Sequence, residues 1–474
     1  MKTAKVFAWV TLASLVVLLV LVALGALFMR DEALHPDTEK MLHHQPPPVP
    51  AEANIFVARV GFDAPAGSDF VRVGEEIIQR VNQGQKIMPD AERLEFSLPI
   101  YAYPCAKEVT ENCLEEIHAD ADNILRLMEE NGELAERYLT MQNMPVYVDI
   151  NSRLPWSLST NGMEVTKISR LFSAAAVLYI QDGKVAEGLG MIGKDMEFHR
   201  RIFASPQAAL TDKMIALANI RQHVILLNLL IEQGKLNEHT ETARFLLRPL
   251  AAPRDSIMDA FLKERVYFLR EFADTQNSPV QQFLGVLVFL MQTGGFGDDD
   301  LLDYLAFFVA KKNMSLNFQY ALEVKAQEIL REMPTSQLPS VYDTFERQLS
   351  ESMGCVKTRF TVCWNWRNSG GEFLSFKFSP GYVSSLLRVH DQDAHIRLVR
   401  AQLEYQLAAK NPGVNLMLEK TPEQILPTLG AETFNPYTGQ PFEFDSERKT
   451  LIFQPADPSW KRQNKPPLEV RLLS

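Results

Sequence analysis

The chain has 474 residues, of which 46% are hydrophobic and 23% charged, and its net charge is −11. That composition is enough to bury a real core, and the length exceeds one ordinary domain, so two or three units are expected. An acidic chain with no basic stripe interleaved with aromatics repels phosphate backbones, which excludes nucleic acid as an expected partner.

Val6 to Met29 carries no charged side chain over 24 residues. At ~1.5 Å per residue it reaches about 36 Å, enough to cross a ~30 Å hydrocarbon core as a transmembrane helix. Lys2 and Lys5 lie before it, so residues 1–30 are expected to be a cytoplasmic start and an anchor, with the rest translocated. The run is longer than the ~7–15 residues of a cleaved signal peptide. Without Lys2, Lys5 and Arg30 the exported part keeps 45 basic and 59 acidic residues.

Residues 31–53 read as a proline-rich linker in which Pro46, Pro47 and Pro48 favour extended geometry. His35, His43 and His44 are expected to be solvated linker side chains. Residues 54–113 form a mixed segment with an apolar patch at Ile55–Val60, the turn-rich GFDAPAGSD and a short helix at Val73–Val81. Cys105 and Cys113 are eight positions apart, as are Cys355 and Cys363. In an oxidising compartment these four give two local disulfides. Structural zinc prefers pairs two to four residues apart, which disfavours a four-cysteine zinc site.

From residue 114 to 352 the apolar period is helical. The stripes are Ile117–Ile124–Met128, Leu171–Ala175–Leu178, Val185–Leu189–Ile192–Met196, Leu217–Ile220–Val224–Leu227–Ile231 and Met258–Leu262–Val266–Leu269. AVLYIQDGKVAEGL and LNLLIEQGKLNEHT look alike, and their glycines, Gly183 and Gly234, lie 51 residues apart. This predicts a packed helical array with a solenoid-like tendency.

Residues 353–474 read as a smaller α+β region. Phe360, Val362, Trp364 and Trp366 alternate as in a strand, with Asn368–Gly371 as the turn and Phe373–Phe378 as the return strand. A helix is expected at Val383–Ala409, then a hairpin pairing Phe442–Phe444 with Leu451–Phe453. The tail WKRQNKPPLEVRLLS reads as irregular. The predicted fold class is therefore mainly α, with short hairpins near the end.

Candidate chemistry is sparse. Gly188, Gly190 and Gly193 match G-x-G-x-x-G, but no strand precedes them, and packing of helices explains them better than a dinucleotide. Asp298–Asp300 suits a helix start and lacks the ligand spacing of a calcium loop. Ser446 and Lys449 match S-x-x-K in a predicted turn, not at a helix start. His390, Asp391, Asp393 and His395 form the densest ionisable cluster. Asp391 with His395 and Asp393 with Arg397 are four apart and able to pair on a helix. No nucleophile motif accompanies them, so His390, Asp391 and His395 are weak catalytic candidates on a face expected to be structural or solvated. No cofactor and no metal site is expected.

Three passages are distinctive together: GFDAPAGSD at 61–69, RVHDQDAHIRLV at 388–399 and TFNPYTGQPFEFD at 433–445. They resemble a loosely defined group of uncharacterised bacterial membrane-anchored envelope proteins with a late N/D-P-Y/F-T/S-G-x-P turn. The resemblance implies a periplasmic setting and transfers no activity. The expectation is a single-pass inner-membrane protein with a periplasmic helical body that acts as an interaction or scaffold component and has an envelope protein partner. The alternative is a periplasmic hydrolase with its site at His390–His395.

Overall fold

The computed structural model describes residues 31–83, 85, 94, 105, 110–150, 161–275, 312–353, 355–357, 361–363, 381–410 and 421–472. The expected membrane span, the Asp298–Asp300 cap and the strands beyond Cys363 lie outside them. The described chain is mainly helical with a small antiparallel sheet near its end. It divides into two units: 1–44, 268–328 and 344–380, and then 45–267, 329–343 and 381–474.

In the first unit, part of the expected linker is helical. Residues 36–42 form α1 (Pro36–Leu42), with Pro36 in the first turn, the His35 ring accepting from the Asp37 N–H, and Thr38 and Met41 buried. Local capping overrides the extended bias of a proline-containing stretch, because proline at a first helical turn costs no hydrogen bond.

The second unit is built from helices over most of its length. Its early part holds α2 (Ile55–Val60), α3 (Phe70–Asn82), α4 (Cys113–Ala119), α5 (Ala121–Glu130) and α6 (Gly132–Asn143). The expected helix at 73–81 is thus longer, because the Asp69 carboxylate caps the Val71 and Arg72 N–H groups at 3.1 Å. α2 and α3 pack backbone to backbone. A Cβ on Gly61 would lie 1.9 Å from the Phe70 carbonyl oxygen, and one on Gly74 would lie 2.1 Å from that of Val57. The GFDAPAGSD loop between them is held by Arg137 of α6, which donates to the carbonyls of Phe62, Ala64 and Pro65 at 2.9, 2.7 and 2.9 Å. A disulfide joins Cys105 to Cys113, with Cα atoms 5.8 Å apart.

Three long helices come next: α7 (Asn161–Gln181), α8 (Val185–Ala204) and α9 (Leu210–Glu232). Their predicted stripes are mostly inside: Leu171, Ala175, Leu178, Leu189, Ile192, Met196 and the five predicted positions of α9 are buried, while Val185 at the start of α8 is half-buried. Gly188 shows why glycine stands in α8, since a Cβ there would meet the Ala176 carbonyl oxygen at 2.5 Å. Helix packing accounts for Gly188, while a Cβ on Gly190 would meet nothing within 4 Å. α9 is the one described helix long and apolar enough to cross a membrane, but it packs against α7 and α8 and is largely buried.

The two look-alike passages share a helix terminator. Gly183 and Gly234 both have positive φ, +85° and +68°. In each case the next residue's N–H returns to a carbonyl five positions back, Lys184 to Tyr179 at 2.9 Å and Lys235 to Leu230 at 3.0 Å. That is the glycine-ended Schellman closure. The likeness ends at the turn, since α8 starts at once after Gly183 whereas the chain beyond Gly234 leads to the short α10 (Thr240–Leu246).

α11 (Pro253–Thr275) buries Ile257, Met258, Ala260 and Phe261, while Leu262 stays 38% exposed, so the predicted Met258–Leu262 stripe is rotated. Leu127, in place of Met128, likewise joins Ile124 in the core. α12 (Lys312–Glu332) begins in the first unit, whose other described elements are α14 (Phe345–Ser352) and the strands β1 (Cys355–Lys357) and β2 (Thr361–Cys363). β1 and β2 pair antiparallel with Cys355 opposite Cys363. The hairpin therefore falls across the cysteine pair.

The second unit closes with α13 (Leu338–Val341), α15 (Tyr382–Lys410), α16 (Pro422–Ile425), β3 (Glu443–Asp445), β4 (Thr450–Phe453), α17 (Pro458–Arg462) and β5 (Leu468–Arg471). The sheet runs β3-β4-β5, with Phe444 opposite Leu451 and Leu451 opposite Val470. The tail expected to be irregular thus supplies the third strand. Burial of Val470 and Leu472 rewards the pairing.

Candidate functional site

α15 carries the predicted cluster and is buried on nearly every side. It packs against α9, α10, α13, β4 and β5. A helix so enclosed should be apolar all round. Here His390, Asp391, Gln392, Asp393, His395, Arg400, Gln402 and Gln406 are all buried, and most of their polar atoms must find partners.

The partners are not those that helical spacing offered. Asp391 does not pair with His395. Its carboxylate turns to the carboxyl-terminal region and accepts from the Tyr437 hydroxyl at 2.8 Å and from the Ala456 and Asp457 N–H groups at 3.0 and 2.8 Å. The Asn435–Pro441 turn presents that tyrosine. Gly439 takes φ +65° and donates to the Asn435 carbonyl at 2.8 Å, while the Tyr437 N–H bonds the Asn435 side chain at 2.9 Å. Asp393 does pair with Arg397, at 2.7 Å, and also accepts from the Leu250 N–H at 2.7 Å.

Burial pushes the Asp391 carboxyl up to about 6, outweighing the hydrogen bonds it accepts, and nearby Asp457 adds to the rise. Burial pushes His390 down to about 4, with Arg254 and Arg397 adding to the effect, and His395 down to about 3, with Arg221 contributing. Both imidazoles are neutral at pH 7. His390 stands edge-on to the Tyr437 ring, and neither of its nitrogens has a hydrogen-bond partner. His390 and His395 are 5% exposed and Asp391 is 8% exposed. These side chains are buried, not solvated, because α15 is covered on too many sides to keep a wet edge.

A second polar centre lies among the long helices, and sequence reasoning did not single it out. Asp195 of α8 accepts from Tyr138 and Gln142 of α6, Ser169 of α7 and His223 of α9. Gln142 is at 3.1 Å, Ser169 at 2.6 Å and His223 Nε2 at 2.8 Å. His199, one turn along α8, lies 3.2 Å from Ser169 Oγ and 3.7 Å from the carboxylate. The Asp195, His199 and His223 side chains are 1–2% exposed. Burial opposes ionisation of Asp195, but the hydrogen bond and charge of His223 override it and hold the carboxyl at about 2. Burial takes His199 down to about 4, against the pull of Asp195.

Serine, histidine and aspartate thus meet, but not as a nucleophile relay. The Ser169 hydroxyl donates to Asp195 instead of being deprotonated by His199, and no solvent reaches it. The other ring bridges two helices. Ser173 Oγ donates to the Ser169 carbonyl at 2.9 Å and lies 3.4 Å from His223 Nδ1. His223 Nε2 meets the Asp195 carboxylate on its other side, which ties α9 to α8 at the centre of the helices. The one sequence signal for this centre was Asp195 and His199, four apart on α8. Tyr138, Ser169 and His223 come from other helices with no motif to link them.

Among the described residues, no group of three or more His, Cys, Asp or Glu side chains is arranged to hold a metal. Compared with family models, with curated proteins and with solved structures, the chain has no match.

Proposed function

We propose that the protein is a membrane-tethered periplasmic component of the bacterial cell envelope that works by binding a protein partner, not by catalysis. The observation that carries this reading is the uncharged run Val6–Met29 behind Lys2 and Lys5, which has the length and flanking charge of an inner-membrane anchor with its amino terminus in the cytoplasm. The Cys105–Cys113 bridge agrees with an oxidising compartment, and the register of Cys355 opposite Cys363 suits a second bridge. The placement of the ionisable groups favours a binder over a hydrolase. His390, Asp391 and His395, the catalytic candidates, are enclosed and turned toward structural contacts, and Ser169 and His199 are enclosed with Asp195. A tether would raise the concentration of a helical binding surface beside membrane partners.

Alkaline phosphatase and a fluorescent protein, each fused after Ser474, test the compartment. Active phosphatase with a dark fluorescent fusion is expected, and the reverse pattern would remove the envelope role. In-cell crosslinking of the full chain then tests the binding role. A discrete crosslinked species that survives detergent and contains one reproducible second protein is expected. Its absence, with hydrolysis of an envelope polymer by the purified chain, would turn the reading to the hydrolase.

A further inference from the structure

The segment that leaves the expected span makes a dense set of contacts with the start of α12. Asp31 places one carboxylate oxygen 2.7 Å from the Asn313 N–H and the other 3.1 Å from the Met314 N–H, capping two of the free amides at that helix end. Asn313 Nδ2 donates to the Glu32 carbonyl at 2.8 Å, and Asn317 Nδ2 donates to Glu32 Oε1 at 2.8 Å and to the Ala33 carbonyl at 2.9 Å. The His35 N–H returns to Asn317 Oδ1 at 2.8 Å, and the His35 ring stacks on Tyr320 at 6.4 Å. Five consecutive residues, 31–35, are thus laid along the first turns of α12.

We infer that Asp31, Glu32 and Asn317 form a juxtamembrane clamp that fixes the first turn of α12 at the outer headgroup layer of the bilayer. This rests on the membrane-anchored reading above. Arg30 alone separates Asp31 from the uncharged span. Two residues of chain cover at most about 7 Å, so the amides capped by Asp31 cannot be far from the point where the span emerges. The charges suit that place. An uncompensated aspartate beside lipid phosphates would be repelled, but this one faces the positive end of a helix dipole. The anchor would then hold the first unit at the surface with a defined attachment, where a flexible linker would let it drift.

The full chain in bilayer nanodiscs, with Lys312 replaced by a fluorescent amino acid, tests this with lipids spin-labelled in the headgroup as quencher. Quenching at least threefold above that given by an unlabelled bilayer is expected. Asp31→Ala is expected to abolish most of it, and Asp31→Asn, which still caps, to keep most of it. No quenching in the parent chain, or equal quenching with Asp31→Ala, would overturn the clamp. Carbonate extraction of cell membranes that carry the same chain separates the two readings. Release of the chain into the supernatant sinks the anchor itself, whereas an unquenched chain that stays in the pellet sinks the clamp alone.

Discussion

Asp195 and Asp391 are both buried carboxylates that accept from a tyrosine hydroxyl and two or more further donors, yet their acidities move in opposite directions. Asp195 falls to about 2 and Asp391 rises to about 6. The number of hydrogen bonds does not decide this. Asp195 accepts from His223, whose hydrogen bond and charge draw it down, whereas Asp391 meets neutral donors that here do not offset its burial and has Asp457 nearby. Burial raises any carboxyl, and the neighbours it meets decide the outcome. The centre among α6–α9 is therefore an ionic pin around Asp195. The α15 junction instead holds a carboxyl poised to take up a proton just below neutral pH.

Acid should break both regions at once. His199, His390 and His395 are held neutral, with folded values of about 4, 4 and 3 against an ordinary 6.5. As pH falls below 6.5 the unfolded chain takes up these protons and the folded chain does not, so stability is lost from 6.5 down to the folded values. At pH 5 each imidazole costs about 2 kcal/mol relative to pH 7. Asp391 acts with the opposite sign. Its raised value contributes stability that is full below 3.8 and is lost as pH rises through about 6, and it returns about 1 kcal/mol at pH 5. Urea unfolding at the two pH values should show a net loss on the order of 5 kcal/mol, and equal midpoints would refute the neutral assignment.

Removing the ionic pin comes next. Asp195→Ala strands the donors of Tyr138, Gln142, Ser169 and His223, and should cost about 4 kcal/mol in denaturant unfolding. A loss under 1 kcal/mol would mean that these buried groups do not depend on the carboxylate. The contact that brings α7 and α8 together in the same region can be tested separately. Gly188→Ala should cost about 2 kcal/mol, because its new methyl meets the Ala176 carbonyl. Gly190→Ala, with nothing within 4 Å, should be neutral or gain up to about 1 kcal/mol. Equal thermal midpoints for the two variants would contradict close packing there.

The smallest effect separates the two carboxylates most sharply. Asp391→Asn imitates the protonated acid, so its cost should be about 1 kcal/mol greater at pH 5, where the parent chain gains from protonation, than at pH 8. An equal cost of Asp391→Asn at the two pH values would contradict the raised Asp391 carboxyl.

Much of the helical architecture was legible in the residues. The α9 stripe from Leu217 to Ile231, the α15 span and the β3–β4 hairpin arise from periodicity and turn residues acting over a few positions. Local signals failed where the reward was distant. β5 forms because Leu451 offers Val470 a partner, and the first turns of α12 receive residues 31–35 just before the capped start of α1. Both candidate centres belong to this second class. Spacing paired Asp391 with His395, whereas the fold turned Asp391 to Tyr437.

The sequence by itself set the helical periods, the Gly183 and Gly234 terminators, the two local cysteine pairs and the uncharged leading run, because each depends on neighbours within a few residues along the chain. Tertiary structure alone decided which polar groups are buried together and which carboxylate keeps its charge. Those depend on desolvation and on partners from several helices, and neither distance is written in sequence spacing.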